Sequence, residues 1–357
     1  MIDQKSLSAE WIREQKRGQL SEEIIEKACR SLFLVEKMAA EGIDFVFKGG
    51  SCMMLFFDPP KRFSTDIDLF ISSQEKDRLL SWLKRFTSND LYYNPAPDVR
   101  GNEQRLHMAH YKVNYHSTVL KKESTLVLDL LFDRPPYKNL EKGAIKCSFL
   151  KLDNNPSPLI NHPSSNDLLA DKLTAFAPNT CGLLYRDKRS LDILKQLYDV
   201  AQLASLEKDL DYVEIGHLYQ DIAQDEIEKR TNCQGKTPDD CLKDTIDASA
   251  CALCGEDVQD SYYGTLTYSV GELSNYIQDY TTVTLIKTAA VVFRLALILY
   301  SGSLEEYQNI IELASDGKSI TDVLPLSPKR IRMLRIDLKE NYEKLEEAIR
   351  VYGFYFS

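Results

Sequence analysis

Several features that would place a chain at a glance are missing here. No apolar stretch runs unbroken for the length of a membrane span: the longest, residues 283–300, is interrupted by Lys287 and Arg294, which predicts a buried helix. The opening segment MIDQKSLSAEWIREQKRG is polar and has no apolar core of the kind a secretory leader uses. A cytoplasmic protein without a membrane partner is therefore expected. Positive charge is not in excess either, since 44 Lys and Arg face 54 Asp and Glu for a net charge of −10. No global field draws such a chain onto nucleic acid, so any contact of that kind has to come from a local patch. Paired metal-ligand spacing is absent among the eight cysteines. Of Cys233, Cys241, Cys251 and Cys254, only the last two form a CxxC, and they lie inside the helical pattern DTIDASACALC. Reduced core thiols are the expectation, not a zinc site. There is no internal repeat and no low-complexity tract. The 357 residues allow two or three domains.

What the chain does have is concentrated in residues 45–71, FVFKGGSCMMLFFDPPKRFSTDIDLFI. An apolar run reads as a strand at residues 45–47, the Gly49-Gly50-Ser51 turn follows, and a second strand carries Asp66 and Asp68 among Ile67, Leu69 and Phe70. Two glycines after a strand let the backbone turn sharply and approach a ligand closely. The Ser51 hydroxyl and the N–H groups at a helix start suit phosphate. Asp66 and Asp68, two apart on a strand, project from one face, as hard-cation sites require. They repel each other unless positive charge lies between them.

The turn, the aspartate pair and the intervening Arg62-Phe63-Ser64 together resemble the polymerase-beta-like nucleotidyltransferase superfamily. The form KGGS…KRFSTDIDLF is similar to its AbiEii/AbiGii branch, the nucleotidyltransferase toxins of bacterial toxin–antitoxin pairs. The resemblance implies an α+β architecture: a nucleotidyltransferase domain with a mixed sheet and N-terminal helices over 1–155, then an all-helical domain over 156–357. It implies Lys48, Gly49, Gly50, Ser51, Arg62 and Ser64 at a nucleoside triphosphate, and Mg²⁺ or Mn²⁺ on Asp66 and Asp68. The products would be pyrophosphate and a nucleotidylated RNA end, such as a tRNA acceptor, or a nucleotidylated protein hydroxyl. A role in phage defence and an antitoxin partner come with the family. A catalytically silent nucleotide-binding module is the alternative.

Further along, residues 109–116 and 125–132 read as strands, and residues 92–105, rich in Pro, Asn, Asp and Gly, as an exposed loop. In TLVLDLLF, Asp129 is a lone carboxylate in an apolar strand, where charge is costly without a partner. It is either a carboxylate at a sheet edge or the third metal ligand that the fold calls for, and the second reading is preferred, with Asp133 next along the chain. The proline-containing connection over 143–162 marks the domain boundary. Beyond it, DKLTAF…KRSLDILKQLYDV resembles a second block of the AbiEii branch, which makes Lys172 the motif lysine and a contact for triphosphate. Asp199 is the matching acid, although Asp192 competes for that place; on its own, Asp192 reads as a surface partner of Arg189 or Lys195. Arg186, Lys188, Arg189 and Lys195 form the best local cluster for an RNA backbone.

Overall fold

Strands that alternate buried and open residues build one mixed sheet in a computed structural model of the chain, which describes residues 1–87, 91–98, 108–132, 134–206, 210–258, 261–314 and 319–356. Residues 99–105 of the expected loop and Asp133 lie outside them. Two units divide the chain: residues 1–164 with 274–279, and residues 165–273 with 280–357. The sequence sets the join at 155/156. The first unit continues to Ser164 because part of the proline-containing connection is itself a strand.

The first unit contains β1 (Val46–Lys48), β2 (Ile67–Phe70), β3 (Tyr93–Pro97), β4 (Met108–His116), β5 (Glu123–Leu131), β6 (Leu140–Gly143) and β7 (Ile160–Pro163). Their order is β3-β4-β5-β2-β1-β7-β6. Strands β2 and β5 pair in parallel, as do β1 and β7, and the other neighbours are antiparallel. The segment expected as a loop thus supplies β3, with Pro95 and Pro97 within it. An edge strand tolerates proline because one of its sides needs no ladder donors.

Helices α1 (Ala9–Gln15), α2 (Glu22–Ala40), α3 (Gly49–Cys52) and α4 (Ser73–Phe86) complete this unit. Phe47, Ile67, Leu69, Leu128 and Leu130 are fully buried from one sheet face, in a cluster with Ile25, Leu32 and Val35 of α2 and Leu79 and Leu83 of α4. The residues alternating with them face the other way. Inside that core sits one ion pair, Glu26 and Arg30, 3.0 Å apart at 0% and 3% side-chain exposure. Glu26 also accepts from Ser117 Oγ and from Thr118 N and Oγ1. The guanidinium lies 4.3 Å from the Tyr115 ring centroid.

Every described regular element of the second unit is helical: α5 (Ser165–Ala175), α6 (Ser190–Ala204), α7 (Tyr212–Lys229), α8 (Pro238–Cys254), α9 (Ser261–Tyr268), α10 (Val270–Leu273), α11 (Thr282–Tyr300), α12 (Leu304–Leu313), α13 (Ile320–Val323), α14 (Pro328–Leu338) and α15 (Tyr342–Phe356). Helix α11 is long and apolar enough to cross a membrane, yet it is mostly buried, packed against α6, α8, α14 and α15. All eight cysteines are buried, and none forms a disulfide.

Glu26→Ala should strip Arg30 of its counter-charge in a dry core. Loss of one member of a buried pair costs about 3–5 kcal/mol. Denaturant unfolding should show the first unit melting earlier by that amount, and an unchanged midpoint would remove the pair from the account of this core.

Candidate active site

The open face of the sheet carries a row of side chains fixed by strand register. Lys48 is the partner of Asp68, Asp68 of Asp129, and Asp129 of His110. Register partners point to the same face, so the row runs Lys, Asp, Asp, His across β1, β2, β5 and β4. Asp129 is neither at a sheet edge nor submerged. Its strand occupies an interior place in the order, and its side chain is 19% exposed. Leu128 and Leu130 take the core face, and the period of two turns Asp129 the other way.

His110 has no place among the residues expected from sequence, yet its Nδ1 lies 2.7 Å from Asp129 Oδ1. An ionised carboxylate only accepts, so Nδ1 carries the proton in this contact. Asp66 lies just before β2 at an exposed position, and Thr65 Oγ1 donates to its Oδ1 at 3.3 Å.

The glycine turn lies directly against this row. Gly49 has φ +74°, and a Cβ there would overlap the Asp68 carboxylate, lying 2.9 Å from its Cγ. Only glycine meets both demands. A Cβ on Gly50 would run into the Arg62 guanidinium and come within 2.7 Å of Ser64 Oγ. Arg62 and Ser64, buried at 6% and 8% exposure, therefore close over the second glycine. Ser51 is fully buried, and its hydroxyl donates to the Asp66 carbonyl at 2.5 Å. That bond ties the turn to the aspartate strand. The first N–H groups of α3 have no acceptor within the helix. Lys48 is half-buried, its Nζ 4.8 Å from the Phe70 ring centroid in a small apolar cluster of Val46, Phe70 and Tyr137.

Among the described residues, no three His, Cys, Asp or Glu side chains converge as a ready-made metal cluster. Asp66, Asp68 and Asp129, the carboxylates expected from sequence, carry oxygens of the kind that hard divalent cations take.

In the second unit, Lys172 is no solvated helix lysine. It is 6% exposed, its Nζ 3.0 Å from Asp199 Oδ2 and 3.1 Å from Gln196 Oε1, and Asp199 is fully buried. Asp192 instead pairs at the surface with Arg189 at 2.9 Å and Lys195 at 3.4 Å. Two members of the expected basic cluster are thereby engaged by one acid. Arg186 and Lys188 stand exposed, with Asp187 4.0 Å from Arg186.

The sequence profile of a family described as Nucleotidyl transferase AbiEii toxin, Type IV TA system, matches residues 32–266. The chain is similar in structure to MenT4, a nucleotidyltransferase toxin from Mycobacterium tuberculosis H37Rv, at 13% identity, TM-score 0.49 and coverage of 98% of this chain and 99% of that one. It is also similar to JHP933 from Helicobacter pylori, at 17% identity, TM-score 0.47 and coverage of 82% and 99%. No curated protein matches the sequence.

Two substitutions probe this geometry. Gly49→Ala forces a left-handed residue to carry a Cβ and pushes on Asp68. It should cost about 1–3 kcal/mol and abolish nucleotide transfer, and full activity in a folded variant would break the link between turn and carboxylate. Asp199→Ala leaves the buried Lys172 ammonium without its counter-charge, held only by the Gln196 amide oxygen, so the second unit should lose about 3–5 kcal/mol in denaturant unfolding. Unchanged stability would show that Lys172 turns out to solvent at little cost.

Proposed function

We propose that this chain, which belongs to the AbiEii family of nucleotidyltransferase toxins, moves a nucleoside monophosphate from a nucleoside triphosphate to a hydroxyl at an RNA end such as a tRNA acceptor. The observation that carries this reading is the register of Lys48, Asp68, Asp129 and His110 beside the Gly49-Gly50 turn. Anion-seeking groups and cation-seeking groups meet there on one sheet face.

The triphosphate docks at the turn, where the first N–H groups of α3 meet its oxygens. A peptide donor needs no side chain between itself and a phosphate, and the two glycines keep that approach open. Ser51 holds the turn against Asp66, and Arg62 with Ser64 fixes the second glycine. Mg²⁺ or Mn²⁺, bound through Asp66, Asp68 and Asp129, would supply positive charge against the attacking and leaving oxygens. Asp129 also orients or deprotonates the acceptor hydroxyl, and His110 fixes the carboxylate for that task. Lys48 balances Asp68 from the neighbouring strand. The α-phosphorus gains a bond to the acceptor oxygen as its bond to the bridging oxygen breaks, and pyrophosphate leaves with the electron pair. The reaction takes place in the cytoplasm, as the toxin half of a toxin–antitoxin pair used in phage defence.

The test is to incubate the protein with Mg²⁺, each labelled triphosphate and total RNA, and to resolve labelled RNA from labelled protein. Wild type should label RNA, and Asp66→Ala, Asp68→Ala and Asp129→Asn should each reduce labelling at least about a thousandfold, the scale on which electrostatic stabilisation operates. Near-wild-type transfer by any of the three would remove that residue from the metal set. Label on protein alone would overturn the RNA acceptor.

A further inference from the structure

The second unit contains a cavity of about 330 Å³ lined by Pro178, Asn179, Tyr185, Arg186, Asn232 and Tyr262, among others. Nothing in the nucleotidyl-transfer site uses it. We propose that this cavity binds one unpaired base of the RNA acceptor, a base that carries an exocyclic amino group. The proposal rests on the reading that the acceptor is RNA, and it deepens that reading by naming where and how a single strand is held.

Shape comes first. The Tyr185 and Tyr262 rings are stacked, their centroids 4.2 Å apart at 13°. Tyr185 is 7% exposed while Tyr262 is only half-buried, so the pair offers a braced aromatic wall. Aromatic platforms of this kind are how single-stranded bases are gripped, whereas a paired base has its faces covered.

Polarity is the second argument. Asn179 and Asn232 are exposed, but their amides are fixed. Asn179 donates through both its backbone N and Nδ2 to Asp244, at 2.7 Å each, and Thr180 Oγ1 joins at 2.8 Å. Asp244 is itself 7% exposed, so a buried carboxylate holds this wall of the cavity. Asn232 Nδ2 donates to the Thr180 carbonyl at 2.9 Å. Asn232 spends its amino group on the Thr180 carbonyl and Cys233 Sγ, and Asn179 spends one N–H on Asp244, so each side chain keeps its amide oxygen as an acceptor. Acceptors select adenine, cytosine or guanine amino groups over the carbonyl edge of uracil.

Charge is the third. Arg186 lines the cavity, and exposed Lys188 follows two residues later. In a chain of net charge −10, cations beside an aromatic cavity fit a backbone that brings phosphates along with its base.

The experiment measures binding of short oligo(A), oligo(C), oligo(U), a duplex and AMP to the full chain, with Tyr262→Ala, Tyr262→Phe and Thr265→Trp as variants. Thr265 lines the cavity, and tryptophan there fills it while every cation of the chain is kept. Oligo(A) and oligo(C) should outbind oligo(U), duplex and AMP. Tyr262→Ala and Thr265→Trp should each weaken oligo(A) about tenfold or more, while Tyr262→Phe keeps its affinity and shows that the fold survives. Arg186→Glu should also weaken oligo(A), and it should flatten the salt dependence that Tyr262→Ala leaves intact.

Equal affinity of wild type, Tyr262→Ala and Thr265→Trp would overturn the site. AMP binding as tightly as oligo(A) would make it a mononucleotide site and overturn the RNA assignment. Equal binding of oligo(U) would overturn the role of the amides. If oligo(A) binding depends on Tyr262 but transfer labels protein alone, the RNA-acceptor reading fails and the base site stands; labelled RNA with a Tyr262-independent affinity is the reverse case.

Discussion

Register between β2 and β5 is the constraint on which the site depends. A slip of one residue in either strand would send its carboxylate to the core face and a leucine to solvent, because strand side chains alternate. What forbids the slip lies behind the sheet. Ile67 and Leu69 of β2 and Leu128 and Leu130 of β5 are all fully buried, and a slip would exchange them with Asp68 and Asp129. Burying one large aliphatic side chain contributes roughly 1.5–3 kcal/mol, so four of them outweigh any gain the open face could offer by shifting. The apolar face therefore sets the geometry of the polar one.

That geometry is electrostatically uneasy. Neighbouring strands stand about 4.8 Å apart, and two unit charges at that spacing near a protein surface repel by about 3 kcal/mol. Asp68 and Asp129 are register partners on two such neighbouring strands. The row answers with Lys48 outside Asp68 and His110 outside Asp129, so that each acid has a basic neighbour on its far side. The gap between the two acids keeps its negative potential. On the proposed reading, a divalent cation there would reverse the repulsion, whereas the flanking bases only offset it.

Much of this was legible in the chain because it is local. Two glycines after an apolar run, and two aspartates spaced by one residue within another, state their geometry without knowledge of the rest. Asp129 was visible as an odd carboxylate, but its environment was not: the apolar flanks suggested submersion, and alternation instead gave it a half-open face. His110 acquires meaning only when β4 pairs with β5, a contact between residues nineteen apart. Strand β3 hid behind its prolines, which an edge position permits. Lys172 and Asp199 were both named, but their salt bridge inside the second unit follows from the packing of α5 on α6, which no periodicity in either helix specifies. Ser51 was expected to face phosphate, and its buried bond to Asp66 depends on how the turn closes.

Net charge and proposed chemistry pull in opposite directions, and the tension says something about selectivity. A triphosphate and an RNA are both polyanions, and a chain at −10 repels them beyond about a Debye length, near 8 Å at physiological salt. Long-range steering, which serves basic nucleic-acid-binding proteins, works against this one. Affinity then has to arise within contact range, from a glycine turn, a few cations and a braced aromatic wall. Such contacts are short and directional, and they fall off for any polyanion that lacks the matching shape. A duplex brings more phosphate but no open base, so it meets the repulsion without the compensating stack. On the proposed reading, an acidic toxin would thereby be shielded from the bulk of cellular nucleic acid, and its choice of acceptor would be decided by fit.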